Sequence, residues 1–215
     1  LDKSIDNHYH LFVPIEKYSQ LQGGHSLNLD QLLAFHCAPA LTRMKPANLI
    51  AHDRIKQDEI INRYNETQKH LNTKGIQMER LWTCPKRELT LVYDRMMLEK
   101  HLSSPEVWGY LMVQGYPMYS GFESIISHLK VRMIESGGFP HEIGVFLGYP
   151  LVDVLGFIRN NGQNCKLCGY WKVYGDPVEA QDQFEAFTKV RTILCDKVKQ
   201  GCNIIEALEG ADLVA

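Results

Sequence analysis

Residues 140–174 read PHEIGVFLGYPLVDVLGFIRNNGQNCKLCGYWKVY, and this stretch decides the fold class. From Glu142 to Ile158 it holds two short apolar helix patterns around a Gly148-Tyr149-Pro150 turn. From about Lys166 to Tyr174 the period drops to two, the mark of a strand. Leu167, Gly169, Trp171 and Val173 then share one face with Cys165, and Cys168 shares the other with Tyr170, Lys172 and Tyr174. Helices and an aromatic strand in one short span point to an α+β protein.

Upstream, Ser120-Gly121-Phe122-Glu123 has the spacing of a capping box. It opens a helix with Phe122, Ile125, Ile126, Leu129 and Met133 on one face, ended by Gly137-Gly138. Met96 to Leu102 is a short helix, and Ser104-Pro105-Glu106 starts another with a capping side chain and proline in its first turn. Ile76 to Tyr93 reads as a β-hairpin, because Leu89, Leu91 and Tyr93 alternate and Pro85-Lys86-Arg87 supplies the turn. Asp53 to about Leu71 is a polar helix. Leu29, Leu32, Leu33, His36 and Cys37 form one apolar helical stripe, which Pro39 ends or kinks. Downstream, Asp176-Pro177 starts a long helix with Phe184, Phe187, Val190, Leu194 and Val198 inward, and Ile204 to Leu208 is a last short one. Residues 28–210 are therefore expected as one α+β domain. Its small antiparallel sheet is the hairpin plus the aromatic strand, covered by several helices. Residues 1–27 form a peripheral lead-in.

Composition excludes several function classes. A net charge of −2 gives no electrostatic case for nucleic acid or for an acidic membrane surface. No apolar run approaches the ~20 residues of a membrane helix. The start LDKSIDNHYHLF lacks the basic flank and cleavage site of a secretory signal. Six cysteines scattered over 215 residues then read as reduced thiols in a cytoplasmic protein.

Four constellations carry candidate chemistry. Cys165-x-x-Cys168 has zinc or dithiol spacing, yet strand alternation would send the two side chains to opposite faces unless a turn falls at Asn164-Cys165. His36-Cys37 suggests a thiol nucleophile, but neighbouring helical residues point about 100° apart, so the base must come from elsewhere. His141, beside Glu142, is the candidate base. The dipole argument turns on Pro39: a helix ending at Cys37 disfavours a thiolate there, whereas a helix opening at Pro39 activates it. Against this, both residues serve equally as members of a core stripe, and Glu142 as dipole compensation in a first turn. Tyr170, Trp171, Lys172 and Tyr174 offer an aromatic, cationic face for a flat anionic ligand such as a flavin or haem, or else cross-strand packing. The His8-x-His10 pair lacks a third ligand. The 142–158 helix pair is too apolar to read base edges. No phosphate loop, nucleophile elbow or zinc-protease helix occurs.

LAFHCAPAL with KPANLI, then FPHEIGVFLGYPLVDVLGFI, then LCGYWKVYGD, resemble the domain-of-unknown-function 3793 family of anaerobic bacteria over roughly Asn28 to Leu208. Ala40 stands where that pattern has a hydroxyl-bearing residue, and Arg43 where it has a small one. The resemblance implies no catalytic residue. It implies an anaerobic redox or iron setting, with a flavodoxin-like redox protein as partner. The expected site gathers His36, Cys37, Lys45, Asn48, His141, Glu142 and the Cys168/Lys172 face. Its ligand is a small molecule, flavin, haem or metal ion. The two other readings are a thiol enzyme, with Cys37 as nucleophile and His141 as base, and a non-catalytic interaction protein.

Overall fold

Three strands, β1 (Ala47–Asp53), β2 (Ile76–Thr83) and β3 (Arg87–Asp94), pair antiparallel in the order β1-β3-β2. The structure, a computed structural model, describes residues 28–53, 58–85, 87–136 and 139–209. The His8-x-His10 pair, the 1–27 lead-in, Lys86 and the Gly137-Gly138 stop lie outside the described residues. The described chain divides into two compact units, residues 28–98 with 185–209, and residues 99–184.

The sheet belongs to the first unit. The expected hairpin forms, with a bulge between Arg80 and Trp82. Its third strand differs from expectation. It is Ala47–Asp53, paired with β3 from Ala47↔Tyr93 to Asp53↔Arg87, and not the aromatic strand of residues 166–174. ANLIAHD shows no clean alternation and carries Asn, His and Asp, which strands disfavour, so only pairing reveals it. Helix α1 (Leu29–Leu41) starts on an Asn28/Gln31 capping box, with Gln31 N donating to Asn28 Oδ1 at 2.9 Å. Pro39 lies inside α1 and neither ends it nor opens a new helix. The helix stops two residues later in a Schellman turn, where Met44 N donates to Pro39 O at 2.8 Å and Arg43 N to Ala40 O at 3.1 Å.

Helix α2 (Asp58–Thr73) flanks the sheet. Leu33, Cys37, Ile50, Leu71, Ile76, Val92 and Leu194 fuse into the core of this unit, each large side chain contributing about 1.5–3 kcal/mol. Asp30 is buried and ties the unit's far segments together: it pairs with Arg63 of α2 and accepts from Ile204 N at 3.0 Å. Ile204 opens α9 (Ile204–Glu209), the last described helix, which the periodicity placed correctly.

Helix α3 (Arg95–Leu102) runs across the boundary between the units. In the second unit follow α4 (Pro105–Val113), α5 (Phe122–Glu135), α6 (Ile143–Phe146) and α7 (Leu151–Arg159). The caps of α4 and α5 differ from expectation. Ser104 Oγ donates back to His101 O at 2.8 Å, and Gly121 at φ 85° stands at the N-cap of α5, so neither helix has a side-chain cap. The apolar faces are as read: Ile125, Ile126, Leu129 and Met133 of α5 are buried, as is every residue of α6.

The aromatic stretch is a separate two-stranded hairpin, β4 (Leu167–Cys168) against β5 (Lys172–Val173), with Leu167↔Val173 and Cys168↔Lys172 in register. One extended strand was expected. Gly169 makes the reversal possible, because a Cβ there would lie 2.3 Å from the Phe184 ring of α8 (Pro177–Lys199). The chain is thus α+β, with a three-stranded sheet, a small hairpin and nine helices among the described residues.

Candidate functional site

The expected site residues fall into two groups, one in each unit. His36, Cys37, Lys45 and Asn48 lie in the sheet-bearing unit; His141, Glu142, Cys168, Tyr170, Lys172 and Tyr174 lie in the other.

In the first group, Pro39 explains the local order. Pro39 has no N–H to donate and its ring crowds the carbonyl one turn back, and the amide just after it, Ala40 N, donates to Asn48 Oδ1 at 3.1 Å. Asn48 thereby fastens α1 to the start of β1. Cys37 has no exposed surface, and burial pushes its thiol far up, with Lys45 acting weakly against it. The opposite shift is what a nucleophile needs. Lys45 is buried as well, and burial brings its ammonium down to about 7. His36 is half-buried, its ring 4.8 Å from Phe35, and burial with the Arg191 charge lowers it to about 4. The group is neutral at pH 7 apart from part of the Lys45 population. Cys37 and Lys45 are interior, and the group offers no thiolate.

In the second group, His141 and Glu142 do different things. Glu142 is buried and accepts from Arg132 Nε at 2.8 Å and Tyr116 OH at 3.4 Å. Burial, reinforced by the Glu142 charge, raises the Tyr116 phenol well above its ordinary value. Glu142 thus anchors α6 to α5. His141 is exposed, its ring 5.6 Å from that of Phe157.

His141 stands at the edge of a cleft floored by Phe157, Val154, Tyr149 and Trp171, with Lys172 at its rim and Asp153 at its base. Lys172 Nζ lies 5.9 Å from the Phe157 ring centre and donates to Gly162 O at 2.7 Å. Tyr149 stacks on Trp171 at 5.1 Å and donates to Tyr170 O at 3.2 Å. The enclosed part measures about 20 Å³, room for one water molecule. A small group or a ligand edge fits there, and a whole flavin or tetrapyrrole would have to lie across the mouth.

Asp153 holds this arrangement together, and it was missed as a site residue. It is buried in the first turn of α7 and accepts from Trp171 Nε1, Tyr174 N and Gly175 N, each at 2.7 Å. The one signal in the sequence was a lone carboxylate in the apolar run LVDVLGFI. Sequence cannot show its partners, since they come from a hairpin about twenty residues on.

Among the described residues, no three His, Cys, Asp or Glu side chains gather to hold a metal ion, and no helix is long and apolar enough to cross a membrane. None of the six cysteines is in a disulfide. Cys84, whose Cys-Pro dipeptide invites a haem reading, accepts from Arg87 N at 3.3 Å and closes the β2–β3 turn.

Fold and site together define an α+β protein with a buried Cys37–Lys45 pair in one unit and an apolar cleft lined by His141 and Lys172 in the other. The chain belongs to the family described as protein of unknown function DUF3793, whose model matches residues 33–208. No curated protein and no solved structure matches it.

Proposed function

We propose that the protein is a non-covalent ligand-binding accessory protein of redox or iron metabolism in the cytoplasm. Its ligand is a small anionic molecule, or the anionic edge of a larger flat one such as a flavin or haem, received at the His141–Lys172 cleft. The observation that carries this reading is the cleft itself: an apolar aromatic floor with two basic side chains at its rim, supported from below by a buried carboxylate. Such a site holds a flat or apolar body by contact and an anionic group by charge. The redox and iron setting, and a flavodoxin-like partner, rest on the family resemblance alone.

The thiol-enzyme reading loses its support at Cys37, which has no accessible surface and a thiol stabilised against ionisation. Trp171 lines the cleft and gives a direct readout. Flavin mononucleotide, haemin and inorganic phosphate are titrated in turn while tryptophan fluorescence is followed. Saturable quenching by at least one probe, weakened tenfold or more by Lys172→Ala with His141→Ala, is the expected result. No response to any of the three overturns the reading.

A further inference from the structure

The hairpin carries a second set of groups that the cleft does not use. Cys165 and Cys168 have the two-residue spacing that recurs in ligand pairs of thiolate metal sites. Strand alternation would part them only if both lay in one extended segment. They do not. Strand β4 contains Cys168 but not Cys165, and the backbone bends sharply at Asn164, with φ 58°, and again at Lys166. The chain therefore bends on both sides of Cys165. Pairing resumes with Lys166 N donating to Val173 O at 2.8 Å. Cys168 is exposed and Cys165 half-buried, and neither is in a disulfide.

The scaffold under the pair is fixed. Asp153 holds Trp171 and the amides of Tyr174 and Gly175, Lys172 Nζ holds Gly162 O, and Tyr174 OH holds Gln163 O at 3.0 Å. Ligands on so braced a turn lose little freedom on binding, which is what a metal site requires.

We propose that Cys165 and Cys168 are half of a four-thiolate site for a thiophilic divalent cation, completed by the same pair from a second copy of the chain. Two ligands do not make a tetrahedral site, and no third gathers among the described residues. A two-fold axis through the cation supplies the missing pair with no new residue type, because a symmetric contact presents the same patch twice. The exposure of Cys168 leaves that patch open to it. Binding converts four thiols to four thiolates on one cation and releases four protons, two from each chain. This inference is independent of the ligand at the His141–Lys172 cleft.

The test is titration of the reduced full-length chain with Co²⁺ and with Zn²⁺, followed by absorption and analytical ultracentrifugation. The expected result is uptake of one cation for every two chains. Sulphur-to-cobalt charge transfer in the near ultraviolet and the strong visible bands of tetrahedral cobalt accompany it, as does a doubling of mass that a chelator reverses. Cys165→Ser and Cys168→Ser each abolish both signals with an unchanged melting curve, while Cys84→Ser leaves them intact. No uptake, uptake of one cation per chain without dimerisation, or uptake that survives the double serine variant overturns the proposal. Because fluorescence of the serine variants with flavin mononucleotide, haemin and phosphate is read separately, a failed cleft and a failed cation site remain distinguishable.

Discussion

A carboxylate removed from water must be met by donors, and Asp153 has three at 2.7 Å. Asp153→Ala leaves the Trp171 indole and two amides without that acceptor. It is expected to cost roughly 3 kcal/mol or more in urea unfolding, with a red shift of Trp171 emission as the hairpin loosens. Cys37 makes the opposite case, a reactive group kept inert by burial. In the folded protein iodoacetamide at pH 8 is expected to label Cys168 and spare Cys37, as read by peptide mass spectrometry; labelling of Cys37 at a comparable rate would contradict the buried placement. Arg43 occupies a left-handed conformation at φ 59°, which costs a non-glycine residue on the order of 1 kcal/mol. Its guanidinium offsets this by donating to Asp94 Oδ2 at 2.7 Å and to Lys74 O. These two contacts are a physical reason for an arginine at this position.

At the scale of elements, the hairpin is held as firmly by close approach as by hydrogen bonds. A Cβ on Gly156 of α7 would lie 2.4 Å from Tyr174 Cβ, so the helix and the chain leaving β5 meet where only hydrogen fits. Gly156→Ala is expected to destabilise by about 1–3 kcal/mol, the range for overpacking, and to weaken any ligand of the adjacent cleft. A variant as stable as the parent would show that the hairpin shifts without loss. The same helix shows the limits of pattern reading. Its period was legible in LVDVLGFI, but the partner of each face was not. Likewise the hairpin of residues 76–93 was legible from alternation and turn residues, whereas Ala47–Asp53 is a strand only because β3 offers it a free edge. The aromatic run, with the clearer strand pattern, folds on itself at Gly169 instead of joining that sheet.

For the molecule as a whole, three buried groups set a pH dependence whose sign can be worked out. His36 titrates at about 4 against an ordinary 6.5, so the unfolded chain holds the extra proton between those values and stability rises with pH there. Lys45, at about 7 against 10.5, acts with the same sign from about pH 7 upward. Cys37 opposes it: the fold keeps the thiol protonated while the unfolded chain releases the proton near 9, so its contribution falls above that pH. These three groups together should raise stability from about pH 4 to about pH 9 and level it between about pH 9 and 10.5, where Lys45 and Cys37 oppose each other, with each proton worth at most about 1.4 kcal/mol per pH unit. Urea midpoints measured from pH 5 to 10 check this, and Lys45→Met is expected to flatten the rise between pH 7 and 9. A parent whose stability falls across that interval would contradict it. With a net charge of −2, the chain is also expected to pass through a heparin column at 0.15 M salt without retention.

The sequence by itself determined the α+β class, nearly every helix, the 76–93 hairpin and the family, because periodicity, punctuation and motif order are local properties written along the chain. Only the tertiary structure decided which strand completes the sheet and that Cys37 is interior while His36 is half-buried. Only it decided that Glu142 serves Arg132 while His141 faces outward, and that Asp153 braces residues 171–175. Burial and pairing depend on what arrives from distant sequence. In Pro140–Tyr174 it supplied the bends at Asn164 and Lys166, the turn on which the cysteine pair depends as a pair of ligands.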